Sequence, residues 1–493
     1  PPPTIPPTDP PTGSTPPPTT EPAPTMPTVV EPELFVDVEL ASVVDVDAGK
    51  PAREHDAFVA VAFTDVERWW SEAYPDVYGA PFEPLAGGVY AGYPERATDI
   101  PGCGEPSTDY ADLQLYVAFY CQLGDFMAYD DGDGELSLLT PLAREYGPAV
   151  MGVVLAHEYG HAIQSRTGAL DANYATIHTE QQADCFAGAW TGQAYRGESP
   201  LLRLGDSDVR AGLLAMLSVR DPVGTDQFVP GGHGSAFDRV GAFQEGFING
   251  PARCAELLDA PLGLMPNQFQ TPEDAFFEGN APYDCAALDP EVVGQEFIEA
   301  CTSAPVFLAD DLNDFWRTAI GDEFAPVTAT PVPDVAGVTC EGSVTPTPEV
   351  TVCPGERALF YDEPAVVELY REFGDFTLGY FYGIGWGELA QQTLGSPRSG
   401  EDRALFSDCV TGAWVRDITP DRFGNTPRQR DTDGDGVVDE RITSSPGDLD
   451  EAIRMAILVG DPGAEVDVIG SPFEKIDAFR TGVLGGLDAC SSL

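Results

Sequence analysis

Positive charge is what this chain lacks most. Its 493 residues include 25 lysines and arginines against 81 aspartates and glutamates, for a formal net charge of −56. Lys50 and Lys475 are its only lysines. Nucleic acid and anionic membrane both require clustered cations, so neither is a partner. No apolar run is long enough to span a bilayer; the stretch Ala149 to Ala156 is short and ends in polar residues. No Cys-x-x-Cys occurs, which argues against a zinc–thiolate cluster and leaves the ten cysteines to disulfides in an oxidising compartment. The acidity itself reads as a solvated surface, with solubility in salt or a calcium-rich cell surface as alternatives.

Large apolar side chains are nearly missing from residues 1–33, which are mostly Pro and Thr. Such a segment cannot bury a core and stays extended, so it is expected to act as a tether. The first residue is not Met, and the natural expectation is a processed N-terminus, after removal of an export signal or next to a lipid-modified residue upstream. The chain is thus expected to be secreted or held at the cell surface by a lipid or cell-wall tether.

Histidine is scarce too, with five in the chain, yet two of them fall in His157-Glu158-Tyr159-Gly160-His161. On a helix, residues four apart share a face, so both imidazoles can reach one zinc ion while Glu158 acts on water at the metal. Glu180 follows nineteen residues after His161, with Asp184 one helical turn further on. A second helix carrying Glu180 would supply a third ligand and leave a fourth position open, as hydrolytic zinc requires. His178 is a weaker alternative to Glu180. His55 is expected to have no catalytic part, and Tyr159 to pack.

The chain also reads as an imperfect duplication. Gly147, Gly160, Gln164 and Gly168 meet Gly374, Gly387, Gln391 and Gly395, and Asp184-Cys185 meets Asp408-Cys409. Gly234 to Cys254 runs without gaps against Gly470 to Cys490, with eight of 21 positions identical. Asp65 matches Asp311. The units are far longer than solenoid repeats, so two related domains are expected rather than an array. Packing residues persist in the second copy, whereas His157, Glu158, His161, Glu180 and His233 face Ile384, Gly385, Glu388, Ala404 and Ile469. All the residues that zinc hydrolysis needs are lost together while the scaffold stays.

This divides the chain into a tether (1–33), a first domain (56–255), a connector (256–304) and a degenerate second domain with an acidic insertion (305–493). It also selects a disulfide pattern: Cys103–Cys121 with Cys340–Cys353, Cys185–Cys254 with Cys409–Cys490, and Cys285–Cys301 in the connector. Pro148 suits the first turn of the histidine helix and Gly168 its end. A second helix is expected from about Thr179 to Arg196. A third, Val209 to Val219, is capped by Ser207 or Asp208, and a fourth is capped by Ser235. Leu113 to Tyr129 reads as two strands broken at Gly124, with Phe126 to Tyr129 as an edge on which a peptide could add as a strand. Asp130 to Gly134 reads as an acidic hairpin loop. Asp431, Asp433, Asp435 and Asp439 alternate around Gly436 like a calcium loop, although Ile442 stands where an EF-hand places Glu.

The segments around Phe119-Tyr120-Cys121, Tyr129-Asp130, His157 to Gln164, and Glu180-Gln181-Gln182-Ala183-Asp184-Cys185 resemble the neutral zinc metallopeptidases of bacteria, and His233-Gly234 and Arg239 fit the later part of that pattern. The resemblance covers roughly residues 95–254. It implies an α+β, gluzincin-like fold: a small sheet, an active-site helix and a second ligand-bearing helix. It further implies His157, His161 and Glu180 as zinc ligands, Glu158 as general base, and Asp184 as the carboxylate orienting a ligand imidazole. Asp408 survives without ligands around it, so Asp184 is also expected to have a structural role, bonding backbone where helices meet.

Two functions are carried. One is an exported zinc peptidase acting on peptide or protein substrates, with Glu158 taking a proton from attacking water and His233 donating to the oxyanion. The other is a non-catalytic cell-surface binding protein with a structural or vestigial zinc.

Overall fold

A computed structural model describes residues 32–269, 271–321, 323–419, 429–430, 440–441, 443–460 and 470–491. The expected calcium residues Asp431, Asp433, Asp435 and Asp439, and nearly all of the tether, lie outside them. The chain is a mixed α+β structure with small sheets and many helices. No helix among the described residues is long and apolar enough to cross a membrane.

The first half begins with α1 (Asp56–Tyr78) and a sheet of β1 (Gly88–Gly92), β2 (Ala118–Cys121) and β3 (Phe126–Asp130). Strand β3 is central, parallel to β1 and antiparallel to β2. The longer helices that follow are α2 (Ala149–Thr167), α3 (Thr176–Tyr195), α4 (Asp206–Ser218) and α5 (Ala236–Ala255). The second half opens with α6 (Ala304–Ile320) and a sheet of β4 (Thr328–Val332), β5 (Val344–Thr347), β6 (Val350–Cys353) and β7 (Ala358–Asp362). There β7 is parallel to β4 and antiparallel to β6, and β5 adds outside β6. It continues with α7 (Phe376–Thr393), α8 (Glu401–Ile418), α9 (Asp448–Val459) and α10 (Pro472–Gly485).

Helix α2 starts after Pro148 and stops at Gly168, whose left-handed φ of 76° donates its N–H to the last carbonyls. Residues 149–160 are all buried, so this helix is apolar all round rather than amphipathic. Glycines in a helix interior cost about 1 kcal/mol each. Burial of Leu, Val and Phe at about 1.5–3 kcal/mol per side chain outweighs that where glycine permits close packing. A β-carbon on Gly188 would lie 1.9 Å from the Phe243 carbonyl oxygen, and one on Gly246 would lie 1.8 Å from that of Cys185. Only hydrogen at both positions lets α3 and α5 cross backbone to backbone. Gly412 and Gly482 stand in the same relation to α10 and α8, at 1.9 and 1.8 Å.

Two buried aspartates tie the first helix of each half to its tryptophan. Asp65 accepts from Trp190 Nε1 at 3.0 Å, and Asp311 accepts from Trp414 Nε1 at 2.6 Å. Five disulfides form: Cys103–Cys121, Cys185–Cys254, Cys285–Cys301, Cys340–Cys353 and Cys409–Cys490. The halves share one apolar core. Between them Arg220 Nε meets Asp450 Oδ2 at 2.9 Å, and the Arg480 guanidinium lies 4.3 Å over the Phe237 ring, in space left by Gly241.

Several local expectations need correction. Residues 110–116 form a helix, not a strand, because Asp109 caps it by accepting from Asp112 N at 2.8 Å. Strand β3 is the centre of its sheet and offers no free edge; the outer strands are β1 and β2. Helix α4 begins at Asp206, and Asp208 reaches back to the Gly205 N–H instead of serving as N-cap. Asp130 and Asp131 are buried, not a solvated hairpin loop. Asp131 pairs with His55 Nε2 and Lys50 Nζ, each at 2.7 Å. His55 is therefore a buried hydrogen-bond partner of Asp131. Upstream of the expected domain start, Glu33–Leu34 pairs with Leu202–Arg203.

Candidate metal centre

Helical periodicity brings His157 and His161 to one face of α2, with ring centroids 4.9 Å apart and planes at 90°. Helix α3 packs against that face because Gly160 sits against Ala183, 3.0 Å from its Cα by ideal β-carbon geometry. This contact brings Glu180 under the rings. Its Oε2 is 3.2 Å from His157 Nε2 and its Oε1 is 3.5 Å from His161 Nε2. One donor atom from each of His157, His161 and Glu180 falls within 4.8 Å of the others.

The far nitrogen of each ring is already engaged. His157 Nδ1 donates to Asp184 Oδ1 at 2.7 Å, and His161 Nδ1 to Gln164 Oε1 at 2.9 Å. Both Nε2 atoms are thereby turned towards Glu180. Gln164 is held in turn by donating from Nε2 to the Thr179 carbonyl at 2.6 Å. Arg239 on α5 grips Asp184 with two bonds, of 2.9 and 2.7 Å, and donates to the Val219 carbonyl at 2.6 Å. Side chains, not backbone, are thus the partners of Asp184, contrary to the expectation of backbone bonding.

Electrostatics follow from burial and pairing. Burial opposes charge on His157, but Asp184 and Glu180 outweigh it and push the imidazole up to about 10. His161 is raised for the same reason, Glu180 against burial. Burial would raise Glu180, yet the two imidazoles hold it well below the ordinary carboxylate range. Burial likewise opposes ionisation of Asp184, and Arg239 and His157 lower it on balance.

The donor set fits zinc. Two neutral imidazole nitrogens and one carboxylate are its usual ligands in hydrolytic sites. Glu180 Oε2 is buried without a hydrogen-bond partner, an orphan atom that a cation would satisfy. Each ring's other nitrogen has the carboxylate or amide oxygen partner typical of metal-bound histidine.

Glu158 is buried beside this group, and its charge acts on both His161 and Arg239. His233 approaches from the loop before α5, with Nε2 4.0 Å from Glu180 Oε2 and Nδ1 3.7 Å from Asp221 Oδ1. That loop turns at Gly234, whose φ of 96° favours glycine and whose N–H donates to Asp221 Oδ2 at 2.8 Å. His178 is not among the three converging residues; it lines a cleft with Phe228, Ser235 and Asp450. Tyr159 is buried, with Phe63 and Phe82 as ring neighbours. Sequence reasoning gave no site role to Gln164, Asp221 or Arg239. The signal for two of them was the sequence match of Gln164 with Gln391 and of Arg239 with Lys475.

Residues 39–257 match the family model described as "Putative neutral zinc metallopeptidase". The uncharacterized protein Rv2575 of Mycobacterium tuberculosis is 33% identical over 183 residues, which cover 33% of this chain and 60% of that protein. The uncharacterized protein YpfJ of Escherichia coli K12 is 29% identical over 182 residues, covering 31% of this chain and 56% of its own. This chain therefore spans about 60% of the length of the curated relatives it matches. No solved structure matches.

Proposed function

We propose that the chain is an extracytoplasmic zinc peptidase whose first half carries out hydrolysis, and whose second half is a degenerate copy of the same domain acting as support. One observation carries this reading. Two imidazole Nε2 atoms and a buried, unpartnered carboxylate oxygen converge, with the far nitrogen of each ring already tied. The family match over residues 39–257 points the same way, and the five disulfides support the compartment.

His157, His161 and Glu180 would hold the zinc, which supplies Lewis acidity towards a carbonyl and water. Glu158 takes the proton of the attacking water and passes it to the leaving amine. His233, held at Nδ1 by Asp221, donates to the oxygen that gains charge at the scissile carbonyl. Asp184 and Gln164 keep both rings in the ligating orientation, and Arg239 keeps Asp184 charged. An extended substrate would add along β2, whose outer side has no strand partner among the described residues.

The test is Glu158→Gln. It should retain zinc while cleavage of an unfolded protein falls by about 10²–10⁴-fold, the usual share of general acid–base catalysis. Wild-type protein that holds zinc yet cleaves nothing across a broad peptide library would instead favour a binding protein with structural zinc.

A further inference from the structure

A second group of converging carboxylates lies in the other half, away from any histidine. Asp375 precedes α7, Asp448 opens α9, and Glu451 lies one turn along α9; one oxygen of each falls within 4.8 Å of the others. One oxygen of each accepts from a backbone N–H. Asp375 Oδ2 accepts from Ala281 N at 2.9 Å, Asp448 Oδ2 from Ser445 N at 2.8 Å, and Glu451 Oε2 from Phe376 N at 2.8 Å. Asp375 Oδ1 and Asp448 Oδ1 are buried without any hydrogen-bond partner, and Asp448 is only 6% exposed.

Among the described residues no lysine or arginine forms an ion pair with these three acids. Arg220 is spent on Asp450, and Arg454 acts on Glu451 only through its field, its guanidinium lying 5.4 Å over the Phe373 ring. Asp274, bonded to Ser445 Oγ at 2.8 Å, adds a further negative charge nearby. Burial, then repulsion between the acids, pushes Asp375 up to about 7 and holds Asp448 and Glu451 well above the carboxylate range. Proteins rarely leave anionic oxygens buried and unanswered, because desolvation costs more than their hydrogen bonds return. A cleft of about 680 Å³, lined in part by Asp274, Asn280, Asp375, Ser445 and Asp448, gives access from solvent.

We propose that Asp375, Asp448 and Glu451 are a cation site for a hard divalent ion, calcium by the chemistry of an all-oxygen, anionic donor set. The ion would pin the connector at Asn280–Ala281 to the starts of α7 and α9. Pro148 occupies the position matching Asp375 in the first half, so the arrangement belongs to the second half and not to the shared scaffold.

The experiment titrates zinc-loaded full chain with calcium chloride and reads bound calcium by equilibrium dialysis and the melting temperature. Wild type should bind calcium and melt several degrees higher. Asp448→Asn and Glu451→Gln should lose both effects, while an Asp433→Asn, Asp435→Asn double variant keeps them. Asp448→Asn without calcium should melt no lower than wild type, since it removes one of three crowded charges; this shows that the variant folds. Unchanged calcium binding in Asp448→Asn overturns the proposal, as does loss of binding in the Asp433, Asp435 variant alone. A wild type indifferent to millimolar calcium, together with a higher-melting Asp448→Asn, identifies a shared-proton cluster and also overturns it.

Discussion

Asp184 and Asp408 are both fully buried at the same point of a helix pair, and each is gripped by a cation from the helix that crosses it. Arg239 bonds Asp184 at 2.7 Å, and Lys475 Nζ bonds Asp408 at 2.7 Å. Their other partners differ. Asp184 takes the His157 ring, whereas Asp408 takes the Tyr380 hydroxyl at 2.6 Å. At the position of His161 stands Glu388, and its charge is met by Arg403 and by the Ser407 hydroxyl. In the sequence match between the halves, Ala404 faces Glu180. The second half thus answers every buried acid at this place with its own side chains. The first half leaves Glu180 facing imidazoles, with one oxygen orphaned. A carboxylate oxygen buried without a hydrogen-bond donor is one that a cation would satisfy, and this contrast between the halves locates the candidate centre.

The sheets differ at the corresponding edge. In the second half β5 pairs outside β6, the strand that carries Cys353. In the first half the helix Tyr110–Tyr116 precedes β2, the strand that carries Cys121, and no strand pairs outside it among the described residues. One half covers that strand with another of its own; the other has no strand there among the described residues.

The comparison breaks most sharply at the third ligand. Glu180→Ala should abolish zinc retention on gel filtration, read by atomic emission, while Glu388→Ala leaves the zinc content at wild-type level. Zinc loss in both variants would mean that the contrast is mistaken. Next come the cations. Arg239→Ala and Lys475→Ala each strand a buried aspartate, and urea unfolding should show a loss of about 3–5 kcal/mol for either. Only Arg239→Ala should also weaken zinc binding. Asp184→Asn sharpens the point at smaller scale: competition with a chromophoric chelator should show zinc affinity reduced by about 10–100-fold, the usual effect of losing a partner of a ligand histidine. Asp408→Asn should leave that affinity unchanged.

Much of the candidate site was legible in the linear chain. The spacing of His157 and His161, the helix limits at Pro148 and Gly168, and the cysteine pairs all follow from local geometry or from matching one stretch with another. Other features were not. The central place of β3 depends on which strands pair, and an apolar strand pattern does not record its neighbours. Asp130 to Gly134 has the composition of a solvated turn; within it Asp131 is buried against Lys50 and His55, more than seventy residues upstream. Gln164 lies within the histidine helix, but its role appears only when its amide bridges a ligand ring and the Thr179 carbonyl.

By itself the sequence determined that two imidazoles share a face, because 3.6 residues per turn is a property of the backbone and not of its surroundings. It also determined where helices can touch, since only glycine at 160, 188 and 246 leaves no side chain in the way. The meeting of Glu180, Arg239 and His233 with those imidazoles was decided by tertiary structure alone. Their positions depend on how α2, α3 and α5 cross, and a crossing angle is set by packing across the whole interface rather than by any local segment.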